Sequence, residues 1–381
     1  MTALPAPGPE ALAHSAQLTA HLRDAIAAAG GWLPFTRFME VALYAPGLGY
    51  YAAGATKFGQ AGDFTTAPEL SALFGQTLAR QVAQVLHGDA VLEIGAGSGK
   101  LAADLLLALE QLGALPASYA ILELSPDLQA RQRALLAARA PHLLSRVHWL
   151  AHLPDTFSGV MLGNEVLDAM PVHMVARRGE HWMERGVALN EQGWVWQERP
   201  IANPSLADAL ATLDVPDGYL TEINLAAPAF ISSLATVLQR GVMLFIDYGF
   251  PRAEFYHPQR DRGTLMCHYR HHAHDDPFLH PGLQDITAHV DFTAVAEAAM
   301  ANDLEVLGYA TQAHFLLNCG LTEWLARTAP DDTAAFLPLT NQVQRLTSPA
   351  EMGELFKVIA LGKGVDQALI GFARGDQRHR L

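Results

Sequence analysis

The chain predicts an α/β protein built on a doubly wound, mostly parallel sheet, and three observations carry that prediction. Short apolar runs alternate with helix-length segments from Ala90 onward. The run Val91–Ile94 passes through alternate glycines, Gly95, Gly97 and Gly99, straight into the next helix. Ser125-Pro126-Asp127 then marks another helix start, with a capping serine and proline in the first turn. With 381 residues, half of them hydrophobic, the chain can bury a large core.

Element by element, Ser15–Ala29 is expected to be a helix with Leu18, Leu22 and Ile26 on one face, closed by Gly30–Gly31. Tyr44–Pro68 scatters five glycines (Gly47, Gly49, Gly54, Gly59, Gly62) among aromatic residues, and reads as irregular backbone. Thr66-Ala-Pro-Glu69 reads as a capping box opening a helix through about Leu86. Strands follow at Ala90–Ile94, Tyr119–Leu124, Val147–Leu150 and Gly159–Gly163, with helices at Lys100–Leu112 and from Ser125 through Ala140. Val172–Tyr219 breaks the alternation with Trp-rich, strand-like pieces and reads as inserted. Val242–Asp247 is the fifth strand, Tyr248–Asp291 a His-, Asp- and Pro-rich excursion, Phe292–Asn302 a helix, and Leu304–Tyr309 and Phe356–Leu361 the last two strands. The organisation expected is an N-terminal helical region (1–86), the first part of a Rossmann-like domain (87–171), an inserted segment (172–235) and the rest of the Rossmann-like domain (236–381) with its excursion at 248–291.

A net charge of −14 argues against a nucleic-acid surface, which needs clustered cations to neutralise phosphates. A cationic partner fits better, although net acidity also simply keeps proteins soluble. Two cysteines, Cys267 and Cys319, exclude a disulfide framework and are expected as buried thiols in a reducing compartment. Signal, transit and transmembrane readings all fail, so a cytoplasmic protein is expected, with no membrane insertion. The run His268-Tyr-Arg-His271-His272-Ala-His274-Asp275-Asp276 lacks any regular ligand pair and reads as a solvated loop, so no metal is expected.

Three nucleotide folds compete for Glu93-Ile-Gly95-Ala96-Gly97-Ser-Gly99. A phosphate loop needs glycine at Ile94 and a hydroxyl residue at Leu101; a dinucleotide fingerprint wants its third glycine one place beyond Gly99. The acidic-Gly-x-Gly-x-Gly form fits, and resembles the class I methyltransferases that bind S-adenosyl-L-methionine. Glu123, with Leu124 beside it, ends the next strand where such folds place an acid for ribose hydroxyls. The plainer explanations are a tight turn for the glycines and a helix-start carboxylate for Glu123. Asn164, Glu165 and Asp168 stand where the fourth strand ends, the side of an open α/β sheet at which ligands lie.

The chain as a whole resembles the MidA-type (mitochondrial complex I assembly) protein arginine methyltransferases. The likeness runs through Phe38–Tyr51, Gly62–Ser71 with Phe74-Gly75, the glycine turn, Asn164–Val172, Asp247-Tyr-Gly-Phe250, Gly263-Thr-Leu265, Asp285–Phe292 and Gln312. Ala67 departs from the family, whose members commonly have serine there. The resemblance implies a seven-stranded class I core with an N-terminal lid and inserted substrate-binding segments. It also implies symmetric ω-N dimethylation of a protein arginine, on a respiratory complex I subunit in the mitochondrial members.

Methyl transfer to a guanidinium needs a carboxylate to grip it, localise its charge and help remove a proton. Glu165 and Asp168 suit that task, three residues apart on one face if a helix starts there. Helix-start acids satisfying the dipole would look the same. His289 is a candidate proton relay or a structural histidine; Tyr50, Phe64, Asp285 and Asp291 are expected around the substrate. Thr66 and Pro68 are expected at the cofactor, together with Glu93, Gly95, Ala96, Gly97, Gly99, Glu123, Leu124, Asn164 and Glu165. A non-catalytic cofactor-binding assembly factor and a nicotinamide-dependent oxidoreductase are the competing readings; a homodimer stays open.

Overall fold

The computed structural model describes residues 4–53 and 66–381. Helix α1 (Pro9–Ala28) starts ahead of the expected Ser15, because Pro9 suits a first turn where the missing N–H is no loss. It buries Leu18, Leu22 and Ile26, and ends where Gly30, at φ 74°, lets the Gly31 amide donate to Ile26 O. Strand β1 (Trp32–Pro34) and helix α2 (Phe35–Tyr44) follow, so regular structure runs to Tyr44 itself.

The expected capping box at Thr66 does not form. Thr66 makes no side-chain cap bond, and Glu69 instead accepts from Ser98 Oγ. The helix is therefore split by extended Ser71 into α3 (Ala67–Leu70) and α4 (Ala72–Val85), with Ser71 Oγ capping the second at Leu73 N.

Then come β2 (Ala90–Ile94), α5 (Lys100–Gln111), β3 (Tyr119–Leu122), α6 (Pro126–Arg139), β4 (Val147–Leu150) and β5 (Phe157–Asn164). The segment 172–235, read as inserted, holds β6 (His173–Arg178), β7 (His181–Asn190), β8 (Gly193–Pro200), α7 (Pro204–Leu210) and β9 (Leu220–Ile223). Next are α8 (Ala226–Val237), β10 (Leu238–Phe250) and α9 (Arg252–Phe255). The excursion contains β11 (Met266–Tyr269), β12 (His272–His274), β13 (Asp285–Thr287) and β14 (Val290–Asp291). Then follow α10 (Phe292–Met300), β15 (Glu305–Thr311), α11 (Gln312–Asn318), α12 (Leu321–Leu325), α13 (Thr333–Thr347), α14 (Met352–Leu355) and β16 (Phe356–Lys363), with two short 3-10 turns after them at Ile370–Phe372 and Arg378–Arg380.

Two compact units divide these elements. The larger takes Thr65–Leu167, Phe230–Gly249 and Phe292–Leu381. Its sheet runs in the order β15-β16-β10-β5-β2-β3-β4; β10, β5, β2, β3 and β4 are parallel, and β16 lies antiparallel between β10 and β15. That is the class I methyltransferase arrangement. Its core gathers Val91, Ile121, Val160, Leu162, Val242, Leu244 and Val358 from the strands with Leu78, Val82, Leu105 and Leu109 from α4 and α5. Continuous apolar runs such as Val160–Leu162 are what strands buried on both faces require.

The other unit takes Met1–Phe64, Asp168–Ala229 and Phe250–Asp291. An antiparallel sheet in the order β1-β7-β6-β9, with β8 also on β7, packs α1 and α2 through Leu18, Leu22, Phe35, Phe38, Met174 and Val187. A small sheet, β12-β11-β13, carries the histidine run as a hairpin turning at Arg270 and His271, both at positive φ. Among the described residues no three metal-ligating side chains converge, and no helix is long and apolar enough to cross a membrane. Cys267 and Cys319 are buried thiols, and burial pushes both pKa values up.

Candidate active site

In the sheet unit, Ile94 on β2 pairs in register with Gly163 on β5, so the glycine turn and Asn164 leave neighbouring strands at one height. Gly95, Gly97 and Gly99 all have positive φ (64°, 53° and 84°), a region where side chains carry strain. At Gly99 a Cβ would also stand 3.1 Å from Gln132, so glycine is needed there for room as well as conformation. Ala96 is buried within the turn. Lys100, opening α5, donates through Nζ to Pro68 O at 2.7 Å and Glu69 O at 3.0 Å, fastening α3, with Thr66 and Pro68, beside the turn.

Glu93 lies beneath this turn and is buried; Tyr119 Oη donates to its Oε2 at 2.7 Å. Burial raises its pKa to about 7, opposed by that hydrogen bond and reinforced by the charge of Glu123. Glu123 accepts Ser125 N on Oε1 at 3.0 Å and Gln132 Nε2 on Oε2 at 3.1 Å. Gln132 itself is fully buried: its Nε2 also donates to Gly97 O at 3.0 Å, and Trp149 Nε1 donates to its Oε1 at 2.9 Å. One side chain thus ties the glycine turn to the acid of the next strand. Leu124, beside that acid, is 76% exposed.

These features fit an S-adenosyl group. The turn lets a ligand approach backbone at its glycines, a carboxylate such as Glu123 is the type of group that can accept from hydroxyls, and an exposed Leu124 is the type of surface that can meet a base.

The head of β5 corrects one expectation. No helix begins at Glu165; this residue sits in the left-handed region at φ 53°, its amide donating to Ile246 O at 2.8 Å. Asn164 Nδ2 donates to Glu165 Oε1 at 3.0 Å, while Asn164 Oδ1 is buried with no donor among the described residues. The next two amides, of Val166 and Leu167, both donate to Asp247 Oδ2, at 3.1 and 2.8 Å. Val166 Cγ2 stands 3.5 Å from where a Gly95 Cβ would be, so the turn after β5 abuts the turn after β2.

Asp168 belongs to the other unit, where it is buried and its carbonyl accepts Ala288 N at 3.0 Å. Asp285, also buried, accepts Tyr51 Oη on Oδ2 at 2.9 Å and its neighbour's amide, Ile286 N, on Oδ1 at 2.9 Å. Tyr44 stacks on Tyr51 at 5.5 Å and donates its hydroxyl to Ala169 O at 2.8 Å. Burial first, then the charges around it, Asp285 foremost and Asp168 among them, raise the pKa of the Tyr51 phenol well above the ordinary value. Structure thus brings Asp168 and Asp285 within electrostatic reach of one tyrosine pair. Tyr50 is buried, its ring edge-on to Tyr51 at 5.0 Å. His289 stacks on Phe250 at 5.3 Å, and Asp291 faces Arg252 at 3.5 Å. Phe64 lies outside the described residues, as do the other residues of 54–65 within the glycine-rich stretch Tyr44–Pro68.

Gln132 and Asp247 escaped the sequence reading as site residues. The contacts that tie them to the two turns reach Gly97, 35 positions from Gln132, and Val166 and Leu167, about 80 positions from Asp247, so no local spacing marks them.

A family of S-adenosyl-L-methionine-dependent methyltransferases matches residues 75–310. The chain is 28% identical to the mitochondrial protein arginine methyltransferase NDUFAF7 of Danio rerio, covering 90% of this chain and 86% of that protein. It is 29% identical to the Mus musculus protein of the same name, over 92% and 86%. A superfamily member from Burkholderia thailandensis, solved bound to S-adenosyl-homocysteine, is 56% identical over the whole of both chains, with a TM-score of 0.97. The matched span, the class I strand order and the glycine turn lead to one conclusion: the chain belongs to the MidA-type family of S-adenosyl-L-methionine-dependent methyltransferases.

Proposed function

We propose that this methyltransferase acts on an arginine of a protein substrate, placing methyl groups on its ω nitrogens symmetrically. The observation that carries the reading is Glu165, an acid held in a left-handed conformation beside the glycine turn, in a chain whose relatives at 28–29% identity are named protein arginine methyltransferases. S-adenosyl-L-methionine supplies an electrophilic methyl group on a sulfonium. The chain's task is to present a guanidinium nitrogen with its lone pair free, against a group that stays protonated in ordinary conditions.

Glu165 grips the guanidinium and draws its charge away from the attacking nitrogen, with Asp168 as the second acid. Asn164 steadies the Glu165 carboxylate. Asp285 and Asp291 favour a cationic segment around the target, and His289 takes up the released proton. Glu123, Leu124, Thr66 and Pro68 hold the donor with the glycine turn. The substrate to test first is a respiratory complex I subunit, as the family likeness suggests, with the protein working in the cytoplasm.

Labelled S-adenosyl-L-methionine is incubated with a lysate and the wild-type chain or Glu165→Gln, followed by mass spectrometry of the modified residue. Symmetric dimethylarginine that disappears with Glu165→Gln supports the reading. Label on another residue type removes arginine from it, and cofactor binding without transfer favours an assembly role.

A further inference from the structure

At the head of β5 the backbone performs a manoeuvre that the sequence alone does not explain. Asn164 pairs with Ile246 on β10, and Glu165 N to Ile246 O is the last rung of that ladder. The chain then leaves the sheet through Glu165 at φ 53°. A non-glycine residue there costs about 1 kcal/mol and persists only where its surroundings enforce it.

What enforces it is Asp247. Its Oδ2 accepts both amides that follow Glu165, and its Oδ1 accepts Tyr248 N at 3.0 Å. The side chain is 1% exposed, and amide bonds to an ionised carboxylate are stronger than those between neutral groups. Consecutive amides around a left-handed residue form a concavity that suits an anion, and Asp247 fills it. Glu165 is thereby pinned by its own amide on one side and by two clamped amides on the other.

We propose that Asp247 is a positioning residue for methyl transfer: by clamping Val166 and Leu167 it holds Glu165 left-handed and aims its carboxylate past the glycine turn. The inference rests on the role given to Glu165 above. Asparagine at 247 can still accept the two amides but turns an amino group toward Tyr248 N–H, so the clamp is loosened without leaving a cavity.

Four proteins test this: wild type, Asp247→Asn, Glu165→Gln and the double variant. Each is measured for thermal midpoint, calorimetric affinity for S-adenosyl-homocysteine, hydrogen exchange at the Val166 and Leu167 amides, and initial rate of methyl-label transfer into lysate. Asp247→Asn is expected to stay folded and to keep its affinity within about threefold, while exchange at the two amides quickens and transfer falls about 10–100-fold. Adding Glu165→Gln to Asp247→Asn should then cost much less than it does in the wild type. Independent, multiplying losses would overturn the proposal, as would wild-type exchange and transfer in Asp247→Asn beside an impaired Glu165→Gln. Normal transfer in Glu165→Gln with faster exchange in Asp247→Asn would instead overturn the role of Glu165, and the catalytic part of the proposal with it.

Discussion

Tyr51 donates its hydroxyl to Asp285 Oδ2 at 2.9 Å, and Tyr44 lies stacked against the same ring. Burial, then the charge of Asp285, raises the pKa of the Tyr51 phenol far above its ordinary value of 10.0. The stability this group gives is complete below that value and declines only in strong alkali. In a spectrophotometric alkaline titration, Tyr51 should stay silent while exposed tyrosines ionise. Tyr51→Phe removes one donor from a buried carboxylate and should lower unfolding stability by about 1–3 kcal/mol in urea.

Glu93 supplies a prediction of opposite practical use. Its folded pKa is raised from 4.5 to about 7, mainly by burial, so folding favours the protonated form. Its stabilising contribution is full below 4.5 and is lost as pH climbs through about 7. Glu93→Gln keeps an acceptor for Tyr119 and never ionises. Relative to wild type it should gain stability as pH rises across that window, by at most about 3 kcal/mol, read from urea midpoints. Equal pH slopes in the two proteins would refute the assignment.

Leu124 separates binding from folding. Because it is 76% exposed, Leu124→Asp should leave the thermal midpoint nearly unchanged. If the side chain covers the purine of the donor, affinity for S-adenosyl-homocysteine falls about tenfold, from about 1–2 kcal/mol of lost apolar burial. Unaltered affinity by calorimetry would remove Leu124 from the site.

Gly99 tests the network around Gln132. Alanine there meets φ 84° and Gln132 at 3.1 Å, so Gly99→Ala should cost about 1–2 kcal/mol of stability. Displacing Gln132 disturbs its bonds to Gly97 O and Glu123 Oε2 together, and donor affinity should drop about tenfold or more. Loss of stability with full affinity would show that the link does not reach the donor.

The parallel sheet was legible because its strands are apolar runs and its central turn needs glycines, both local properties. Gly95–Gly99 and Ser125 therefore fell where expected, with Ser125 Oγ accepting Leu128 N, while the strand read as Tyr119–Leu124 stops at Leu122, just before Glu123. The errors came from distant partners. Thr66 and Glu69 spell a capping box, yet Ser98, 29 positions on, claims the glutamate. Glu165 to Asp168 spells a helix start, yet a carboxylate about 80 positions away turns the chain left-handed instead. Polar residues in the wider surroundings of a site, such as Gln132, carry no spacing by which they can be read.

The antiparallel strand β16 has a bearing on how the chain is made. It lies between β10 and β15 in the strand order, pairing antiparallel with both, while the two-residue β14 also pairs with β10. A ribosome delivers it only after every other strand of that sheet. Until then the nascent protein holds an open slot flanked by two bare apolar edges, the kind of surface that invites wrong pairing and chaperone attention. Shortening the chain before Phe356 would make that transient hazard permanent, so the last ribbon to emerge is the one that locks the whole sheet.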